Sequence, residues 1–179
     1  MTLETPVSEL DSEFSSPGAT AVPWNEAEQQ LQKAEVFWLS TVRPNGRPHV
    51  VPLIAVWLDG ALYFSTSEAE NKAKNLAKNT QVAITTGSNA LTEGLDFVVE
   101  GEAVAVRDDA KLRRVADAYA AKYGEGWRLP GRDGVLVFEV TPTKAFGFGR
   151  GDAQGPPPQG GFSQTRWRFQ AGPAATRSR

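Results

Sequence analysis

The stretch VFWLSTVRPNGRPHVVPLIAVWLDGALYFSTSEAENKAKNL, from Val36 to Leu76, decides the fold. Asn45-Gly46 and Asp59-Gly60 separate runs rich in β-branched and aromatic residues. Such pairs favour two-residue hairpins because both central residues accept positive φ. The block therefore predicts three antiparallel strands leading into a helix within EAENKAKNL. In the second strand Val50, Ile54, Val56 and Leu58 point one way, while Val51, Leu53, Ala55 and Trp57 point the other. A strand apolar on both sides of its pleat needs cover on both. Pro52 has no N–H to give a ladder, so pairing should fail there, at an edge, a bulge or a split.

Outward from this block, Asn25 and Glu28 have the spacing of a capping box for a short helix ending near Glu35. Downstream, Gln81 to Thr86 alternates as a strand, and Phe97 to Val106 predicts a longer one kinked at Gly101. Asp108 can cap a helix whose Leu112, Val115, Ala116, Tyr119 and Tyr123 recur at helical spacing before Gly124 stops it. Val135 to Val140 has the content of a buried strand, and Ala145 to Gly149 resumes the sheet after a break at Pro142. In QTRWRF, Thr165, Trp167 and Phe169 share one strand face and Arg166 and Arg168 the other. Many antiparallel strands with few helices predict a small closed or split barrel. Residues 1–23 have the composition of a disordered arm, 151–161 of a flexible loop and 170–179 of a disordered tail, leaving one domain over 24–169.

A chain of 179 residues, 40% hydrophobic and 22% charged, can bury the core of one domain. Its net charge of −2 offers no basic field for nucleic acid or an anionic membrane. The absence of cysteine removes disulfides, thiolate metal sites and cysteine nucleophiles. With no leader-like zones at the start and no apolar run of spanning length, a cytoplasmic protein is expected.

Self-contained catalytic groupings are scarce. His49 is the only histidine, so a multi-histidine metal centre is excluded and a catalytic triad has no nucleophile elbow to support it. GFGRG, Gly147 to Gly151, follows a strand without opening a helix, unlike a dinucleotide loop. Lys72 is better placed, because Ser65 and Thr66 end the strand before its helix and could join its ammonium around an anion. The same lysine, with Lys74 and Lys78, also fits a solvated helix face. Glu68 and Glu70 would repel a phosphate at that end.

The hairpins LSTVRPNGRPHVVPL and DGALYFSTS, the helix NKAKNL and the tail FSQTRWRF, in that order, resemble the split-barrel superfamily of pyridoxamine 5′-phosphate oxidase-like proteins. The likeness is strongest to its flavin- and deazaflavin-dependent oxidoreductase branch and covers about Asn25 to Phe169. It implies a six-stranded antiparallel split β-barrel and a homodimer with cofactor pockets at the subunit interface. It places the backbone of Val51, Pro52 and Leu53 beside a cofactor ring. Ser65 and Thr66 fall at the ribityl chain and phosphate, and Lys72 at the phosphate. Arg166 and Trp167 fall in a C-terminal element that covers the pocket.

The resemblance implies an oxidoreductase moving a hydride between a small organic substrate and coenzyme F420 or FMN, with a lean to F420. Pyridoxamine phosphate oxidation itself is disfavoured, since Val51 and Val56 stand where that enzyme carries a phosphate-binding arginine and a substrate lysine. Glu70 stands where relatives carry a second basic residue. The alternative is a non-catalytic flavin or haem carrier, in which only His49 could ligate iron. Loops around 89–94 and 124–132 are expected to shape substrate choice.

Overall fold

The computed structural model describes residues 5–88, 90–129, 134–151 and 161–169. Its strands are β1 (Val7–Leu10), β2 (Phe37–Val42), β3 (Pro48–Leu53), β4 (Val56–Leu58), β5 (Ala61–Ser67), β6 (Gln81–Thr86), β7 (Gly94–Ala105), β8 (Val135–Arg150) and β9 (Phe162–Arg168). Three α-helices accompany them, α1 (Trp24–Lys33), α2 (Asn71–Leu76) and α3 (Asp109–Tyr123). Every pairing is antiparallel, in the order β1-β9-β8-β7-β6-β2-β3, with β5 on β8 and β4 on β5. This is a mainly β fold of split-barrel type. Among the described residues the expected six strands become nine, because one is divided into β3 and β4 and the segments nearest the two chain ends add β1 and β9.

The division does not fall at Pro52. Trp38 opposite Pro52 and Phe37 opposite Leu53 stay in register. β3 ends the strand order, so an edge position spares the proline any donor on its outer side. Pairing stops instead at Ile54 and Ala55, where the chain leaves β2 and enters β4, the partner of β5. Helix α3 takes the carbonyls exposed there. Tyr119 donates to Ile54 O at 2.9 Å, while Lys122 Nζ and Tyr123 Oη donate to Ala55 O at 3.0 and 2.8 Å.

The two faces of the divided strand receive separate cover. Ala55 and Trp57, flanked by Val51 and Leu53, join the barrel interior with Leu39, Phe64, Ile84, Val99 and Trp167. Val56, with Ile54 and Leu58 beside it, packs outside the barrel against Val115 and Tyr119 of α3. That helix starts as its sequence predicts, with the Asp108 carboxylate accepting from Lys111 N at 2.7 Å, and ends at Gly124.

The turn at Asp59-Gly60 has positive φ at both residues, 52° and 79°, as its hairpin type requires. The other turn differs. Only Gly46 is left-handed, at φ 81°, and its N–H closes a turn onto Arg43 O at 2.8 Å. Strand β8 runs through Pro142 because the ladder shifts by one residue opposite Glu100 and Gly101. A Cβ on Gly101 would stand 2.4 Å from Thr141 O, so this crossing needs glycine.

The N-terminal segment is no loose arm over its described part. β1 pairs with β9, Asp11 N bonds Gln164 O at 2.8 Å, and Val22 N bonds Thr165 Oγ1 at 2.9 Å. Its order comes from ladder bonds to a segment at the far end of the chain, which local composition does not register. Helix α1 also begins differently, with Pro23 at the cap and no capping side chain. Glu28 accepts from Trp57 Nε1 at 2.8 Å instead of returning to Asn25. Of the segments expected to be disordered, 1–4, 152–160 and 170–179 lie outside the described residues.

Candidate functional site

Helix α2 follows β5 and turns Lys72, Ala73, Asn75 and Leu76 inward, leaving Lys74 and Lys78 exposed. Lys72 is therefore not part of a solvated lysine face; only 9% of it is accessible. A buried ammonium needs a partner. Glu70 supplies one, forming an ion pair with Lys72 from the residue just before α2. The Lys72 hydrogen bond holds the Glu70 carboxyl below the usual glutamate range, with smaller help from the Ser67 backbone and the Thr66 hydroxyl.

A polar relay continues from the same helix. Asn75, itself buried, donates to Thr41 Oγ1 at 2.9 Å, and that hydroxyl lies 3.3 Å from His49 Nδ1. Thr41 and His49 face each other across β2 and β3. The same Thr41 hydroxyl donates to His49 O at 3.4 Å. Burial and the charges of Arg43 and Lys72 together push the His49 pKa down. Thr41, Arg43, His49, Thr66, Glu70 and Lys72 thus gather polar groups of both charges at this end of the barrel.

The expected site residues separate into distinct environments. Val51 and Leu53 line the barrel interior, whereas Pro52 is exposed on the outer face of β3. On β5, Leu62 and Phe64 face the interior while Ala61 and Tyr63 lie under α3, so Thr66 belongs to the interior side and Ser65 to the α3 side. Only Thr66 of that pair stands with Glu70 and Lys72. Trp167 is wholly buried; its Nε1 bonds Val22 O at 3.0 Å and its ring meets Trp24 edge-on at 5.5 Å. It is a core side chain of its own barrel. Arg166 lies on the outer face, 5.6 Å above the Phe146 ring and 3.7 Å from Asp11.

That outer face has a continuous row through the register: Pro52, Trp38, Thr85, Val98, Phe146 and Arg166. Trp38 and Val50 are 50% and 53% accessible. Helix α3 covers the face carrying Val56, Ala61 and Tyr63, and among the described residues no helix covers the face of this row. At the other end of β2 from Thr41, Glu35, Val36, Thr86, Gly87, Ser88 and Leu95 line a cleft of about 370 Å³. It borders the first loop expected to influence substrate choice; Asn89 and residues 130–132 lie outside the described residues.

Thr41, Arg43 and Asn75 were not legible as site residues. Thr41 and His49 could be paired by extending the hairpin register, but nothing local links either to Asn75. Among the described residues no group of three or more His, Asp or Glu side chains could hold a metal ion, and no helix is long and apolar enough to cross a membrane.

A family model described as pyridoxamine 5′-phosphate oxidase matches residues 24–148. Among solved structures, a conserved hypothetical protein of Mycobacterium tuberculosis superposes with a TM-score of 0.62 at 16% identity, covering 76% of this chain and 87% of its own. The haem storage protein HutZ of Vibrio cholerae gives a TM-score of 0.54 at 23% identity, covering 66% and 87%. A protein of Bacteroides thetaiotaomicron described as a candidate 5-nitroimidazole antibiotic resistance protein gives 0.59 at 14%, covering 92% and 93%. At these identities the structural likeness is one of fold. The search of curated proteins gave no match.

Proposed function

The chain belongs to the pyridoxamine 5′-phosphate oxidase family, and on that premise we propose that it is a homodimeric oxidoreductase using coenzyme F420 or FMN on a small organic substrate. The observation that carries this reading is the inward-facing Lys72, set beside Thr66 and the Thr41–His49 pair at one end of the barrel. An ammonium held in place by burial loses little rotamer freedom on meeting a phosphate. The residues thus fit the phosphate end of either cofactor. Bound there, the cofactor would supply the hydride-accepting ring.

This chain's own part is to hold and orient. Lys72 and Thr66 would take the phosphate, and Ser65 would act only through its backbone. The backbone of Val51 to Leu53 would lie against the ring from an edge strand with free ladder positions. The sheet face carrying Trp38, Val50 and Pro52 would meet a second copy, and Arg166 at the far end of that row would reach the partner's pocket. Trp167 supports Arg166 from within the core. Pyridoxamine phosphate oxidation remains disfavoured: Val51 packs against the interior and Val56 is buried beneath α3, so neither position offers a charge.

Titration of each cofactor by fluorescence quenching tests the reading, in the native protein and in Lys72→Ala. Dissociation constants below about millimolar for one cofactor, weakened by the substitution, support it. No binding of either, or equal affinity in the variant, removes it. Turnover of reduced cofactor separates an enzyme from a carrier.

A second reading has one observation in its favour, the fold shared with a haem storage protein. A haem here would have His49 as its protein ligand, through Nε2, since Nδ1 faces Thr41. A Soret band lost in His49→Ala would establish it, and its absence after haem addition would exclude it.

A further inference from the structure

Lys72 already has an anion beside it. Its side chain is 11% accessible while that of Glu70 is 50% accessible, so the carboxylate stands outward of the ammonium it pairs with. Glu70 is held there by a turn, its N–H bonded to Ser67 O at 3.1 Å. Its extended backbone just before α2 leaves the side chain at the mouth of the site. Any exogenous anion that reaches Lys72 must displace this carboxylate or sit against it.

We infer that Glu70 is a built-in counter-anion that occupies the phosphate position beside Lys72 and makes the site select singly charged phosphodiesters over doubly charged phosphomonoesters. The inference rests on the cofactor reading above and sharpens which cofactor chemistry that site accepts. A phosphomonoester carries about −1.5 to −2 charges at neutral pH, whereas a phosphodiester carries one. One ammonium shared with a carboxylate can balance one further charge only if the carboxylate swings away. The second charge of a monoester then meets Glu70 as a like charge at short range. Arg43 and His49 lie on the same side, but the lowered His49 pKa leaves that ring neutral near pH 7.5. Arg43 therefore remains as the second cation, and it acts on both ligand types.

Three flavins with one ring system isolate the charge: riboflavin, FMN and riboflavin 4′,5′-cyclic phosphate. Their dissociation constants at pH 7.5 are to be measured by fluorescence quenching in the native protein, Glu70→Gln, Glu70→Ala and Lys72→Ala. The native protein should bind the cyclic diester more tightly than FMN by about tenfold, equivalent to about 1.4 kcal/mol. Both Glu70 variants should abolish or invert that ratio while leaving riboflavin unchanged. Flavin binding that needs Lys72, with a diester-to-monoester ratio unaffected by either Glu70 variant, overturns the inference and leaves the cofactor reading standing. If no flavin binds any of the folded proteins below about millimolar, the inference falls, and the cofactor reading falls with it only if coenzyme F420 also fails to bind.

Discussion

The phenol of Tyr123 donates to Ala55 O at 2.8 Å and lies 2.9 Å from Glu35 O, so one side chain of α3 joins the strand division to the end of the α1 region. Lys122 reaches the same Ala55 carbonyl, and Tyr119 serves Ile54 O and Tyr63 O. A division of a strand strips backbone groups of ladder partners, and buried backbone groups left so are costly. Here the split barrel depends on a helix outside it.

Tyr119→Phe should therefore destabilise more than Tyr123→Phe. Tyr119 is wholly buried and its two acceptors have no other donor from α3, whereas Ala55 O keeps Lys122. Losses of about 1–3 kcal/mol for Tyr119→Phe and about 1 kcal/mol for Tyr123→Phe follow from the cost of unsatisfied buried groups. Urea denaturation gives both values, and equal midpoints for the two variants would contradict the ordering.

Much of this arrangement was readable from the sequence, and its failures share a cause. Asp59-Gly60 specified its turn because the requirement is local. Asp108 specified its helix start for the same reason. The sequence also showed that Val50 to Leu58 is apolar on both sides. Where the strand divides was not readable, since Pro52 is harmless on an edge and Ile54 and Ala55 are released only because α3 can replace their partners. β1 was missed for a similar reason: Val7 to Leu10 pairs with Thr165 to Arg168, across most of the chain. At the candidate site, the burial of Lys72 was not readable, because a six-residue helix has too short a pattern to fix its inner face. The motif of Trp167 did not show its burial, since packing against Trp24 and Phe97 draws on segments far away in the chain.

Burial lowers the Lys122 pKa to about 8, the Glu35 charge opposing in part. An unfolded lysine titrates near 10.4, so between about pH 8 and 10 the unfolded chain binds more protons than the folded one. Stability then rises with pH across that window. Tyr123, pushed up to about 12 chiefly by burial, acts oppositely only above about pH 10, where unfolded tyrosines ionise. Urea midpoints at pH 7.5 and 9.5 should increase in the native protein and change less in Lys122→Met. A native midpoint that stays flat or falls between those values would count against this role.

Trp38 lies beside Pro52 near the β3 end of the outer-face row, and both it and Val50 on the same face are half accessible. Two large apolar side chains on such a sheet face gain by burial, each by roughly half of the ~1.5–3 kcal/mol that full burial from full exposure provides. Trp38→Glu should convert a dimer into a folded monomer, seen as a halved mass by sedimentation equilibrium with an unchanged far-ultraviolet spectrum. Cofactor affinity should fall with it if the pocket draws on both subunits. A native protein that is monomeric at working concentration, or a variant that stays dimeric, would exclude this face as the interface.

His49 offers a direct reading of the charge at Lys72, because a chain with one histidine gives one imidazole titration curve. Burial is the largest cause of its lowered pKa, followed by Arg43 and then Lys72. The folded ring therefore resists protonation that the unfolded ring accepts near pH 6.5. The stability this provides is present above about pH 6.5 and is lost as pH falls through the folded pKa. Lys72→Met should raise the pKa followed by proton NMR, though not to the ordinary value, since burial and Arg43 remain. A phosphate-bearing ligand seated on Lys72 should raise it in the native protein for the same electrostatic reason, and should do so less in Lys72→Met. If a ligand binds with the imidazole curve unmoved, its anionic group sits elsewhere than beside Lys72.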